Sequence, residues 1–121
     1  MTPAELTAAV RSAAEAIRSL NHAVRPGAAQ LDVGDVYDLL AELALLTSRL
    51  PQLLGQLEAL VDDLVDAGDV AITDGDYAGD AAAVAAITGH WLAAGAGAAT
   101  ELARRVDQAQ QTLTWAAPAR R

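Results

Sequence analysis

Between residues 36 and 64 the large apolar side chains fall at Val36, Leu39, Leu43, Leu46, Leu50, Leu53, Leu57, Leu60 and Leu64. The steps alternate three and four, which lays one stripe along a helix. Leu40, Leu54 and Val61 flank the stripe and widen it beyond a two-position seam. Pro51 interrupts the segment without shifting its phase. Proline inside a helix removes a hydrogen bond and costs about 3 kcal/mol. A reversal of direction, however, needs a few connecting residues, and here they would have to be leucines of the stripe. The spacing therefore predicts one long helix over about 33–66, kinked at Pro51. Thr47 or Ser48 is expected to bond the freed backbone groups, or Ser48 to cap a renewed helix.

Two further helices bracket this one. Thr2-Pro3-Ala4-Glu5 offers a capping hydroxyl, proline at the first helical position and an acid three residues after the cap. Leu6, Val10, Ala13, Ile17 and Leu20 then form a stripe, so helix 1 is expected over about 3–20, ended by Asn21 and Pro26-Gly27, with His22 beyond it. Residues 67–80 read as a connector: Asp74-Gly75 is a turn signal and the preceding "VAIT" a possible extended stub. Asp80 is placed to cap a last helix over about 81–116, with Pro118 past its end. Val84, Ile87, Trp91, Leu102, Val106 and Leu113 fit its period. Gly95 and Gly97 inside it cost about 1 kcal/mol each relative to alanine and predict a bend.

These elements imply an all-α fold: a short N-terminal helix packed on a long antiparallel helical hairpin, one domain over residues 1–117 with a tail at 118–121. At 1.5 Å per residue the long helix spans about 50 Å, and helix 1 covers only about half of that. Helix 1 is expected against residues 33–50 and the segment near 100–116. Leu53, Leu54, Leu57, Leu60, Val61 and Leu64 are then expected to face the small-residue segment 81–99, with apolar surface left over. A patch of that extent marks an interface. The expectation is a homodimer in which two such halves complete a four-helix bundle, with Leu53, Leu57, Leu60, Leu64 and Trp91 at the interface.

Composition narrows the partners. A chain of 121 residues supports one core. Cysteine is absent, which excludes disulfides and thiolate metal sites and suits a reducing cytoplasm, the expected location. Residues 1–20 lack the basic start and unbroken apolar run of a secretory signal. The net charge of −8 argues against direct nucleic-acid binding. All eight basic residues are arginine, and none lies between Arg49 and Arg104, where Glu58, Asp62, Asp63, Asp66, Asp69, Asp74, Asp76, Asp80 and Glu101 all fall. This alanine-rich, lysine-free texture resembles small all-helical proteins of high-GC actinobacteria, a resemblance that implies no activity. The chain departs from the secreted helical hairpins with a Trp-x-Gly turn, since Leu92-Ala93 follows Trp91 and Ala116-Ala117 follows Trp115.

Candidate chemistry is sparse. "DGDYAGD" puts Asp74, Asp76 and Gly79 at positions 1, 3 and 6 of a calcium-binding loop. Ala78 and Ala85 then occupy positions that need oxygen ligands, so a solvated helix end is the expected reading. His90-Trp91 is the one local cluster of functional-looking side chains. No Glu-x-x-His pair accompanies His90, and a structural role is expected for it. Ser12, Ser19 and Ser48 lack a nucleophile elbow, and the glycines of "AAGAGAA" do not open a helix after a strand. No catalytic residue, metal site or cofactor is expected. Residues 81–100 are uncharged and long enough for a membrane span, but alanine gains little from lipid, so soluble packing is expected. The pattern points to a non-catalytic protein–protein interaction module, a homodimeric adaptor or regulator with a further protein partner. The alternatives are an acidic decoy of a nucleic-acid-binding surface and a small-ligand or metal-binding bundle.

Overall fold

A computed structural model describes residues 1–27 and 30–119. It contains three helices, α1 (Pro3–Ala23), α2 (Val33–Asp66) and α3 (Ala81–Thr112), and no strand among the described residues. The chain forms two compact units, Met1–Asp32 and Val33–Arg121.

In the first unit, Thr2 caps α1. Its hydroxyl accepts from the Glu5 N–H at 3.2 Å, and the Thr2 N–H donates to Glu5 Oε2 at 3.2 Å. This reciprocal pair satisfies two donors that the helix leaves open. The helix runs past the expected stop at residue 20. Asn21, His22 and Ala23 stay helical, and the Val24 N–H donates to the Leu20 carbonyl at 2.9 Å. His22 thus belongs to the last turn rather than to the following loop. Gly27, at φ 79°, supplies the left-handed residue beyond the end.

The second unit is the α2–α3 hairpin. α2 is continuous through Pro51. The nearby hydroxyls act differently from the expectation. Thr47 Oγ1 donates to the Leu43 and Ala44 carbonyls at 2.9 and 3.1 Å, and Ser48 Oγ to the Leu45 carbonyl at 2.7 Å. Both serve carbonyls upstream of the Thr47 carbonyl that Pro51 leaves without a helical donor, and Ser48 caps no new helix. Back-bonding of this kind bends a helix without ending it.

α2 stops at a Schellman motif. The Asp69 N–H donates to the Leu64 carbonyl and the Gly68 N–H to the Val65 carbonyl, both at 3.0 Å, with Gly68 at φ 77°. The connector makes no strand at "VAIT". It closes instead through the Gly79 N–H on the Ile72 carbonyl at 2.9 Å. Asp80 Oδ1 accepts from the Ala83 N–H at 3.0 Å and opens α3. α3 ends at Thr112, so Trp115, expected inside the helix, lies beyond it and is almost wholly exposed.

α2 and α3 pack along their length, but not through the leucine stripe. The covered row on α2 is Leu40, Ala44, Thr47, Pro51, Leu54, Glu58 and Val61, one residue after each stripe position. It meets Ala85, Gly89, Leu92, Ala96, Ala99 and Ala103 of α3. Thr47, Ala85, Gly89 and Ala99 are buried in this seam. The expectation that Leu53, Leu57, Leu60 and Leu64 face α3 is corrected by one residue. Small side chains on α3 bring the helix backbones together: a β-carbon on Gly89 would sit 3.2 Å from Glu58 Oε1, and one on Gly95 3.6 Å from Leu54 Cδ1.

Candidate interaction face

A shift of one residue turns a helical position by about 100°. The leucine stripe precedes the α2 seam row by one residue, so it stands on one side of the contact. On α3, Val84, Trp91, Ala98 and Leu102 precede the seam residues Ala85, Leu92, Ala99 and Ala103 in the same sense. When two antiparallel helices face each other, equal one-residue offsets on both project to the same side. The hairpin is therefore two-faced. One face carries the leucines of α2 together with Val84, Trp91 and Leu102. The other carries Asp38, Gln52, Asp62, Asp66, His90, Arg104 and Gln111.

The seam pairs Glu58–Gly89 and Leu54–Gly95 set the register, which puts Trp91 level with Leu57. Leu53, Leu57, Leu60, Leu64 and Trp91 thus share the apolar face toward the connector end. All are exposed: Leu57 to 42%, Leu60 to 55% and Trp91 to 68%. The stripe continues to Val36, Leu39, Leu43 and Leu46, which are also exposed, while Leu50 is half-buried. This face is the candidate site. Its position beside the seam was missed from the sequence, although small residues at 85, 89, 96, 99 and 103 carry the signal of close helix approach.

The polar side offers little chemistry. A shallow depression there is lined by Ala41, Ala44, Leu45, Ser48, Ala103, Asp107 and Gln110. Ser48 is spent on the Leu45 carbonyl, and Asp107 accepts from Gln111 Nε2 at 2.7 Å. His90 meets Trp91 edge-on, with ring centroids 5.2 Å apart. Glu101 binds Arg104 and Arg105 one turn on. Hydrogen bonding from Arg104, with the charges of both arginines, holds the Glu101 carboxyl below its usual range, and the hydrogen bond to Glu101 and its negative charge hold the Arg104 guanidinium above its own.

Among the described residues, no three His, Asp or Glu side chains converge as metal ligands would. Asp74 and Asp76 stay exposed in the connector, and Asp80 is occupied as a cap. Ser12, Ser19 and Ser48 all lie on helices. α3 is long and apolar enough, by length and composition, to cross a membrane. No protein-family model, curated protein or solved structure matches the chain.

Proposed function

We propose that this protein is a non-catalytic helical interaction module that works as a homodimeric adaptor or regulator. The observation that carries the reading is the exposed leucine row beside Trp91 on one side of the hairpin. Leucine side chains left in water along a whole helix are a standing cost of about 25 cal/mol per Å² of apolar surface, which a partner removes.

The dimensions favour a second copy. The row from Val36 to Leu64 is about 42 Å long, and two packed helices are about 20 Å wide, so the face offers about 800 Å². Two such faces bury about 1,600 Å² in a dimer, the usual size of a specific interface. The face at Leu53, Leu57, Leu60, Leu64 and Trp91 is completed as a four-helix bundle by the second copy.

Substituting Leu57→Asp or Leu60→Asp places a charge on that face, outside the seam. The expected result is a monomeric chain of lower stability by light scattering, with helix content retained by circular dichroism. An unchanged native mass for both variants would overturn the proposal.

A further inference from the structure

Along α3 the apolar face runs Trp91, Gly95, Ala98, Leu102, at steps of four, three and four. The order is large, small, small, large. Gly95 is half-buried, Ala98 is exposed, and Trp91 and Leu102 stand out at 68% and 49% exposure. No charged side chain interrupts α3 from Ala81 to Thr100, so this stretch offers neither a cationic surface for phosphate nor an ion pair for an oppositely charged protein.

Two helices that cross come closest at one point and diverge on either side of it. A close crossing needs small residues at the waist and larger ones a turn away, where the gap widens. The α3 row has that profile and is its own complement. We infer that the dimer forms by α3 crossing α3 of the second copy in antiparallel sense, about a two-fold axis between Gly95 and Ala98. Gly95 of each copy then lies against Ala98 of the other, and Trp91 of each against Leu102 of the other. Such a contact is isologous, because the same residue pair occurs twice. Trp91 is the anchor, the residue type most often dominant at interfaces. This inference rests on the homodimer reading and specifies how the two copies meet.

The test uses the full chain. Ala98→Leu adds apolar surface at an exposed position, so an unspecific hydrophobic association would tighten. A waist filled by leucine instead forces the helices apart, and the expected result is a dimer at least tenfold weaker by sedimentation equilibrium. Ala93→Leu, on the polar side of α3, is expected to leave it unchanged. A dimer as tight or tighter with Ala98→Leu overturns the inference. The native chain has no cysteine, which permits a second readout. Trp91→Cys mixed with Leu102→Cys is expected to give a disulfide-linked dimer on oxidation, and neither variant alone. Linkage of Trp91→Cys to itself would overturn the crossing. A wild-type chain that stays monomeric at all concentrations removes the homodimer reading and this inference together. A wild-type dimer that ignores Ala98→Leu removes only the crossing.

Discussion

Individual residues at the helix ends account for much of how this chain is held in place. Gly68 adopts a left-handed backbone that lets two amides close the end of α2. An L side chain there is strained, so Gly68→Ala is expected to destabilise the protein by about 1 kcal/mol in urea unfolding. Asp80 accepts from the Ala83 amide, and Asp80→Ala is expected to cost about 1 kcal/mol in the same measurement. Glu101 gives a pH dependence whose sign is determined. Its carboxyl is held below the ordinary glutamate range in the folded chain, chiefly by the Arg104 hydrogen bond, so its contribution is present above that ordinary range and fades as pH falls through the lowered pKa. Unfolding midpoints of wild type and Glu101→Gln are therefore expected to converge on acidification. Because these groups are exposed, the separation at neutral pH is expected to be small and to shrink with salt.

At the scale of elements, Pro51 is tolerated because α2 carries phase and packing across it. Pro51→Ala restores an amide opposite the Thr47 carbonyl, at the expense of some ring contact in the seam. The expected outcome is a rise in melting temperature, corresponding to at most about 3 kcal/mol. Unchanged or lower stability would show that the ring packing outweighs the missing bond. The helices themselves were legible. An unbroken three-four alternation implied a continuous α2, and the Thr2 and Asp80 caps were read from residue type and position. Their pairing surface was not. A leucine row draws the eye as the natural core, whereas the covered row contains Ala44, Thr47, Pro51 and Glu58. What decides between the rows is the partner. Gly89, Ala85 and Ala99 admit the α2 backbone closely enough for small residues to fill the contact, which leaves the leucines to the side. That choice depends on two segments at once: the small row of α3 marks a close approach, but which row of α2 fills it is set only when the two helices are paired.

For the whole molecule, the face that results is broad and apolar, built from exposed leucines of α2 beside Trp91. The five residues Leu53, Leu57, Leu60, Leu64 and Trp91 were named from periodicity and exposed-surface reasoning. The structure brings them onto one side for a different reason, the seam lying one position away. If the hairpin face is what joins copies, dilution should separate them reversibly. Trp91 emission is then expected to shift to longer wavelength as the chain is diluted through its dissociation range, and Trp115, already in water, is expected to contribute a constant background.

The one-position offset between seam and leucines also makes sociability a matter of helical phase. Adding a single residue immediately after Pro51 would rotate everything downstream by one step and carry Leu53, Leu57, Leu60 and Leu64 inward against Gly95, Gly89 and Ala85. The same letters that now meet the outside would become an interior, at the cost of prising the two helices apart. Whether this chain seeks company is encoded less in which amino acids it contains than in the angle at which they arrive.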